Sequence, residues 1–344
     1  MDLQIPKNYV NHLNLKETEE AIKLVKDYFE VELANQLNLQ RVSAPLFVES
    51  GTGINDDLNG IERPVSFDMK NISDLKAEIV QSLAKWKRMA LARYGFTEDS
   101  GLYTDMNAIR RDELLDNLHS IYVDQWDWEK VISMGNRDLD FLKNTVRKIY
   151  EVLKETEMVV YKKFPELQPF LRDEITFIHS EELQERYPDL SPREREDEMA
   201  KEKGAVFVIG IGGKLADGKV HDGRAPDYDD WTTPTGEKTK GLNGDIFVWN
   251  PVLEKGFEIS SMGIRVDKEA LLRQLQITGN EERKGLEWHK MLLEDKLPLS
   301  VGGGIGQSRL CMLLLQKAHI GEVQCGIWPD DMLEACEKNN IFLL

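Results

Sequence analysis

The sequence predicts an α+β fold with a mainly antiparallel β-sheet flanked by helices. Long amphipathic helices and groups of strands follow one another without a regular βαβα alternation, and this order disfavours a doubly wound parallel sheet. Hydrophobic residues make up 41% of the 344 residues and charged residues 31%, so the chain has enough apolar material for a full core. A mainly disordered chain is therefore excluded.

The first predicted elements are a long helix and a strand. Residues 14–37 carry apolar side chains at helical spacing, and Asn14 and Glu17 form an N-x-x-E start that resembles a capping box. Residues 41–49 are predicted to form one strand. Pro45 within it suits a strand at a sheet edge or an interface.

The middle of the chain combines two helices with a strand of clear alternation. Residues 81–94 form a predicted helix that Gly95 closes, and residues 139–162 form a second long helix. Residues 119–129 alternate with period two, as expected of a strand. One face then carries Val123, Gln125 and Asp127, and the other carries Asp124, Trp126 and Trp128.

The C-terminal half is predicted to contain a solvated helix, three strands and a glycine-rich segment. Residues 189–203 are highly charged, and Ser191 and Pro192 are typical of a helix start. Residues 302–306 are rich in glycine and open the next helix. The strands are predicted at 205–211, 245–251 and 256–262.

Composition restricts the classes of partner and compartment. The chain has 44 basic and 61 acidic residues, a net charge of −17, and no basic stripe, which argues against nucleic acid or an anionic membrane as the main partner. No apolar run approaches the ~18 residues of a membrane span, and the start MDLQIPKNYV does not resemble a signal peptide. Three irregularly spaced cysteines, Cys311, Cys325 and Cys336, fit a reducing compartment, so we expect a cytoplasmic protein.

Common signatures of nucleotide and metal chemistry are absent from the sequence. The P-loop pattern G-x-x-x-x-G-K-[ST] fails at Gly213 and Lys214, and G-x-G-x-x-G fails at both glycine-rich segments. No two of the six histidines have metal-ligand spacing, so a zinc site is not expected.

Two polar segments suit phosphate. The glycines at 302–306, with Arg309 in the first turn of the following helix, fit either a nucleotide cradle or a plain glycine turn. Arg110 is expected at the base of a hairpin loop, with Gln125 and Asp127 further along the same surface. An arginine there fits either an α-phosphate site or a salt-bridged hairpin.

Two other polar features suit cations. Strand alternation puts Glu258 and Ser260 on one face with Asp245 on the neighbouring strand. Two carboxylates there suit Mg²⁺ held together with substrate phosphates, and a solvated cross-strand pair is the alternative. The acidic loops 52–57 and 227–231 have two interpretations. They could bind a cationic nitrogen, such as ammonium or an α-amino group, or they could be ordinary Asx turns.

Together these segments resemble the class II aminoacyl-tRNA synthetases and, more closely, the asparagine synthetase A family of ammonia-dependent aspartate–ammonia ligases. Helix 14–37 with Pro45 resembles synthetase motif 1, residues 110–127 resemble motif 2, and residues 302–309 resemble motif 3. The strings that resemble asparagine synthetase A are SLAKWKR (82–88), GLYTDM (101–106), HSIYVDQWDWE (119–129), RAPDYDDW (224–231), GLNGDI (241–246), SSMGIR (260–265) and GGGIGQSRL (302–310). The chain departs from that family at two positions. It has Gln81 where the family often has His, and Arg111 where the family has Pro.

The resemblance implies a single class II synthetase-like catalytic domain over residues 1–344, assembled as a homodimer. It also implies a reaction that uses L-aspartate, ammonia and Mg·ATP. The β-carboxylate of aspartate attacks the α-phosphate to give β-aspartyl-AMP and pyrophosphate, and ammonia then gives asparagine and AMP.

The resemblance and the chemistry of each side chain together assign the site residues. The expected catalytic residues are Asp56, Arg110 and Gln125. The expected aspartate-binding residues, whose exact division of contacts stays open, are Ser82, Lys87, Asp127, Tyr228, Asp229, Ser261 and Arg265. The expected nucleotide-binding residues, of which Asp245 and Glu258 also bind Mg²⁺, are Arg110, Arg224, Asp245, Glu258, Ser260, Gly304, Gly306 and Arg309.

Two alternative functions share the same catalytic core. An aminoacyl-tRNA synthetase would need an anticodon-binding domain, which is not visible, and the net charge of −17 suits tRNA poorly. A non-catalytic adenylate-binding paralogue would tend to lose catalytic side chains, which are present here. Because no cysteine lies beside a histidine, we expect free ammonia and not glutamine to be the nitrogen donor.

Overall fold

The structure is a computed structural model that describes residues 3–56, 58 and 62–344. The strands are β1 (Leu39–Arg41), β2 (Phe47–Glu49), β3 (Ser66–Met69), β4 (Ile72–Ile79), β5 (Gly101–Ile109), β6 (Tyr122–Val131), β7 (Thr176–His179), β8 (Ala205–Ile209), β9 (Asn243–Asn250), β10 (Lys255–Ile264) and β11 (Ser300–Gly306). The α-helices are α1 (Leu15–Leu37), α2 (Ala84–Tyr94), α3 (Leu139–Lys163), α4 (Ser180–Arg186), α5 (Pro192–Lys203), α6 (Lys268–Thr278), α7 (Glu287–Leu293), α8 (Gln307–Leu314) and α9 (Asp330–Lys338). Short 3₁₀ helices lie at Met134–Asn136, Glu281–Gly285 and Ile320–Glu322.

An eight-stranded sheet organises the molecule, with the strand order β1-β5-β6-β11-β10-β9-β8-β7. The six strands from β5 to β8 in this order pair antiparallel, and only the edge strands β1 and β7 pair parallel to their neighbours. A second sheet, β2-β4-β3, is antiparallel. The predicted α+β class with a mainly antiparallel sheet is therefore confirmed.

The predicted helix ends are set by local capping. Asn14 and Glu17 form the expected capping box at the start of α1, and Ser191 and Glu194 form another at the start of α5. Gly95 ends α2 in the left-handed conformation, with φ of 71°, as a C-terminal glycine does. Local sequence therefore determines these boundaries to within a few residues.

The prediction of one strand over residues 41–49 is wrong. The chain forms β1, which ends at Arg41 in the large sheet, and then β2, which begins at Phe47 in the small sheet. Pro45 lies between them and has no N–H to donate to a strand ladder. The proline therefore marks the place where the chain passes from one sheet to the other.

The glycine-rich segment 302–306 is a central strand and not a turn. It belongs to β11, which pairs with β6 on one side and β10 on the other. Glycine is needed here because side chains of the neighbouring strand cross it: a Cβ on Gly304 would lie 2.5 Å from Gln125 Oε1 and 2.7 Å from Asp127 Oδ1. The helix expected after the glycines is present as α8.

The two faces of the large sheet differ in character. On one face, Trp126 and Trp128 of β6 are fully buried, and Trp126 packs against Phe29 of α1 with ring centroids 4.9 Å apart. Cys311 of α8 belongs to the same core, and burial raises the pKa of its thiol to about 12, which makes it a poor nucleophile. The other face carries the polar residues that the alternation of β6 predicted. Of the helices in the described ranges, none combines the length and the apolarity that crossing a membrane requires.

Candidate active site

A polar cavity of about 440 Å³ lies on this second face of the sheet. Its floor is formed by β6, β11, β10 and β9, and α2 and the loops that hold Asp56 and Arg110 contribute to its walls. Every site residue predicted from the sequence lines this cavity, except Ser260. The structure thus brings together side chains from segments as far apart in the chain as those of Asp56 and Arg309.

Ser260 is displaced from the cavity by a β-bulge. The pairing of β10 with β9 shifts between Glu258 and Ser260, so that Ser261, and not Ser260, lies opposite Asp245. Glu258 and Ser261 both line the cavity, whereas Ser260 is 1% exposed. The predicted placement of Glu258 and Ser260 on one face is therefore wrong, because simple alternation does not hold across the extra residue.

The predicted hairpin is present as β5 and β6. The two strands pair antiparallel from Gly101 to Ile109, and the Arg110 main chain donates to Ile121 O at the base of the loop, at 2.9 Å. Gln125 and Asp127 lie further along β6 and face the cavity. Arg110 Nε is buried and has no hydrogen-bond partner among the described residues, so it is available to an acceptor that enters the cavity.

Arg309 is held at the cavity by contacts from two segments, and a third segment fixes the start of the helix that carries it. Its Nη2 donates to His119 Nε2 at 2.8 Å, and its Nη1 lies 3.3 Å from Glu258 O. Because the guanidinium only donates, the ring proton of His119 is assigned to Nδ1, which lies 2.9 Å from Asp116 Oδ1. The start of α8 is fixed by Asp124, which accepts hydrogen bonds from the main chain and hydroxyl of Ser308.

Asp245 lies at the centre of a buried polar cluster. Its Oδ1 accepts from the Ser261 hydroxyl and from Arg224 Nη2, each at 2.5 Å. Burial raises the pKa of Asp245, and the nearby Glu258 carboxylate raises it further, against the opposing effect of Arg224. Asp245 and Glu258 are therefore two like-charged carboxylates close together in the cavity.

Arg265 is already bound by two carboxylates. It donates to Glu129 through Nε and Nη2, the latter at 2.8 Å, and to Asp229 through Nη1. Lys87 lies beside this cluster: its Nζ donates to Gly303 O at 2.9 Å and is 3.5 Å from Asp127 Oδ2. Burial lowers the pKa of Lys87, and Asp127 partly counteracts that effect.

The described residues of the acidic loop 52–57 include a buried carboxylate, Asp56. Asp56 is 2% exposed and lines the cavity, whereas Asp57, in the same predicted acidic loop, lies outside the described residues. Burial raises the pKa of Asp56, and the cationic Lys85 opposes the rise. Ser82 and Tyr228 line the same cavity.

The donor set at Asp245 and Glu258 fits a magnesium ion held together with phosphates. Among the described residues, no group of three or more His, Cys, Asp or Glu side chains forms a metal site by itself. Mg²⁺ commonly needs only one or two carboxylates, since water and substrate phosphates complete its shell. The Glu258 carboxylate contributes to the raised pKa of Asp245, and this repulsion is what a divalent cation would relieve.

Comparison with known proteins places the chain in a family. A family model described as aspartate–ammonia ligase matches residues 16–340. The chain belongs to the aspartate–ammonia ligase family. It is 61% identical to an aspartate–ammonia ligase from Clostridium perfringens, over 99% of both chains, and 57% identical to one from Bacteroides thetaiotaomicron, over 98% of both. The resemblance found in the sequence motifs is confirmed.

Solved structures agree on the fold. An asparaginyl-tRNA synthetase from Pyrococcus horikoshii, solved with asparaginyl-adenylate, has a TM-score of 0.67 at 18% identity and covers 91% of this chain and 70% of its own. The corresponding synthetase from Entamoeba histolytica has a TM-score of 0.66 at 14% identity, with coverage of 90% and 66%. This member of the aspartate–ammonia ligase family therefore has the predicted fold, that of a class II synthetase core.

Two residues that hold predicted arginines in place were not predicted. Glu129, which binds Arg265, continues the alternation of Gln125 and Asp127 along β6, so the period-two pattern contains the signal for it. His119 was one of several scattered histidines. Its contact with Arg309 spans 190 positions, and no local pattern indicates it.

Proposed function

We propose that the chain is an ATP-dependent ligase that converts L-aspartate and ammonia to L-asparagine through β-aspartyl-AMP, with release of AMP and pyrophosphate. Residues 1–344 act as one catalytic domain. The observation that carries the proposal is a single cavity lined both by arginines suited to phosphate and by a buried carboxylate, Asp56, suited to ammonium. Identity of 61% to a protein named aspartate–ammonia ligase supports the same activity.

The first step activates the β-carboxylate of aspartate. A carboxylate is a poor acyl donor because its leaving group would be oxide, and transfer to the α-phosphate of ATP replaces oxide with AMP. Negative charge grows on that phosphate as the bond to pyrophosphate breaks. Arg110, with its unpaired Nε, and Arg309, held by His119, are positioned to stabilise this charge.

The remaining nucleotide contacts come from the sheet. Gly304 and Gly306 line the cavity, and we assign both to the nucleotide site, where the missing Cβ of Gly304 leaves room for the Gln125 and Asp127 side chains. Asp245 and Glu258 would hold Mg²⁺, which when bound neutralises charge on the β- and γ-phosphates. Arg224 holds the Asp245 carboxylate in place.

Aspartate itself carries an α-carboxylate and an α-amino group that need partners of opposite charge. We assign the α-carboxylate to Lys87 and Arg265. The other aspartate contacts are assigned to residues that line the same cavity, namely Ser82, Asp127, Tyr228, Asp229 and Ser261. Because Arg265 is clamped by Glu129 and Asp229, its guanidinium is fixed before the substrate arrives.

The second step needs neutral ammonia, although ammonium dominates near neutral pH. Asp56 receives the ammonium ion and accepts one proton, which leaves NH₃ to attack the acyl carbon. The tetrahedral intermediate loses a proton and expels AMP, giving asparagine. Gln125 donates a hydrogen bond to the acyl oxygen without adding charge to the site.

The products and the nitrogen donor test this function directly. Purified protein with aspartate, Mg·ATP and ammonium is expected to form asparagine, AMP and pyrophosphate, with little asparagine when ammonia-free glutamine replaces ammonium. Chromatography and amino-acid analysis measure asparagine, AMP, pyrophosphate and ADP. Release of ADP, or equal rates with the two donors, would contradict the proposal.

Asp56→Asn is expected to impair amidation more than adenylation. The amide cannot take a proton from ammonium, whereas the phosphate-binding arginines are unchanged, so asparagine formation falls about 10²-fold or more while aspartate-dependent ATP–pyrophosphate exchange persists. In the wild type, amidation is expected to rise with pH, because both free ammonia and the ionised form of Asp56 increase. An equal loss of exchange and amidation would assign Asp56 to the first step.

Assembly as a homodimer follows from the resemblance of α1 and the Pro45 segment to the synthetase dimer motif. We expect a species of about twice 39.5 kDa in solution. Light scattering at micromolar concentration measures this mass, and a stable, active monomer would contradict the proposal.

A further inference from the structure

Gln81 is a buried amide whose orientation is fixed by its neighbours. It precedes α2, is 1% exposed and lines the cavity. Its main-chain N–H donates to Asn55 Oδ1 at 2.9 Å, and its Nε2 donates to the main-chain oxygen of Asp56 at 2.9 Å. Because a carbonyl oxygen only accepts, the Nε2 end of the amide must face Asp56 O. The oxygen Oε1 is therefore the end left for another group.

Two buried oxygen acceptors, one on Gln81 and one on Asp56, have no donor within the part of the chain that the structure describes. Gln81 Oε1 and Asp56 Oδ2 are both buried and have no hydrogen-bond partner among the described residues. The other carboxylate oxygen of Asp56 is engaged, since it accepts from the Leu58 main chain at 3.1 Å. A buried acceptor without a hydrogen bond raises the free energy of the folded protein. A group that enters here and donates hydrogen bonds to these oxygens is therefore bound favourably.

The charges around Asp56 are mixed in sign, with the cations Lys85 and Arg110 opposed by the carboxylate of Asp227. Lys85 is 3.5 Å from Asp227 Oδ2 and so shares its charge with a second buried carboxylate. Arg110 and Lys85 both act on Asp56 through space, yet burial still raises its pKa. Ammonium has four donors and no acceptor, which matches two free oxygens of which one is anionic.

We propose that Gln81 Oε1 and Asp56 Oδ2 together form the ammonium-receiving corner of the cavity, with Gln81 as a specificity-determining residue for the nitrogen donor. This inference rests on the proposed function. Asp56 takes the proton, and Gln81 holds the ion without competing for that proton, because an amide oxygen is far less basic than a carboxylate. A second carboxylate at this position would bind the cation more tightly and retain it.

A comparison of two nucleophiles in Gln81→Leu tests the proposal. We expect the KM for ammonium to rise about tenfold or more, as for loss of a hydrogen bond to a charged group. Hydroxylamine is largely uncharged near neutral pH and needs no cation receptor, so formation of β-aspartyl hydroxamate is expected to change less than about twofold, within the effect of a near-neutral substitution. Aspartate-dependent ATP–pyrophosphate exchange is expected to stay at the wild-type level.

Controls separate this role from structural damage. Gln184→Leu removes a glutamine outside the cavity and is expected to leave the KM for ammonium unchanged. Gln81→Met keeps the length of the side chain without the amide and is expected to repeat the result should the leucine variant not fold. An unchanged KM for ammonium would overturn the proposal. So would an equal fall in the rates of product formation with ammonium and with hydroxylamine. Failure of the wild-type protein to make asparagine from ammonium would instead refute the proposed function.

Discussion

Replacing Arg309 with alanine is expected to reduce kcat/KM for ATP by a factor that corresponds to about 2–4 kcal/mol of transition-state stabilisation. The side chain reaches the cavity from the first turn of α8, and its two terminal nitrogens are oriented by His119 and by the main chain of Glu258. A donor fixed in this way stabilises developing charge on the α-phosphate without reorganisation during the reaction. Aspartate-dependent ATP–pyrophosphate exchange measures the step in which that charge develops.

Two further variants sharpen the interpretation of Arg309. Arg186→Ala removes an arginine that pairs with Glu202 at the surface, outside the cavity, and is expected to leave the exchange rate unchanged. Arg309→Lys keeps the positive charge but not the forked geometry, so it is expected to recover only part of the activity. Near-normal exchange by the alanine variant would refute the assignment of Arg309 to the nucleotide.

The periodic parts of the fold were predictable because they depend on local interactions. The capping box at Asn14, the closing Gly95 and the alternation of β6 each act within one or two turns or along one strand. The period-two alternation by itself assigns Gln125 and Asp127 to one face of β6, and that face lines the cavity. Resemblance to a known family then connected segments that no local rule relates.

The errors arose where tertiary pairing overrides local pattern. The bulge in β10 turns Ser260 away from Asp245, and a bulge has no reliable signature in a single sequence. The chain also leaves the large sheet after Arg41, a change of partner that only the assembled sheets reveal. The contact between His119 and Arg309 depends on the hairpin and α8 meeting across the cavity.

The glycines of β11 were the least predictable feature of the site, and Gly302 shows the reason. Gly302 pairs directly with Glu129 of β6. A Cβ at this position would lie 1.9 Å from Glu129 Oε2 and 2.7 Å from Arg265 Nη2. Glycine is therefore required here because a buried ion pair crosses the strand, and not because the chain turns. Its requirement comes from side chains 173 and 37 positions away in the sequence.

Gly302→Ala is accordingly expected to lower the free energy of unfolding by about 3–5 kcal/mol, the cost of breaking a buried ion pair. Glu129 and Arg265 are 0% and 3% exposed, so the carboxylate cannot move into solvent to relieve the overlap. Glu129 would also lose its place against Ser300, whose hydroxyl donates to Oε1 at 2.7 Å. Urea unfolding followed by circular dichroism, at equal protein concentration for all variants, measures the change.

Gly285→Ala is the matched control for this substitution. A Cβ at Gly285 meets no atom within 4 Å, and its φ lies outside the left-handed region, so we expect a change within about 0.5 kcal/mol. Gly302→Ala should also weaken aspartate use, because displaced Glu129 no longer fixes Arg265 at the cavity. If Gly302→Ala unfolds at the same urea concentration as the wild type, Glu129 has another buried position available. The ion pair across β11 would then not be the reason for the glycine.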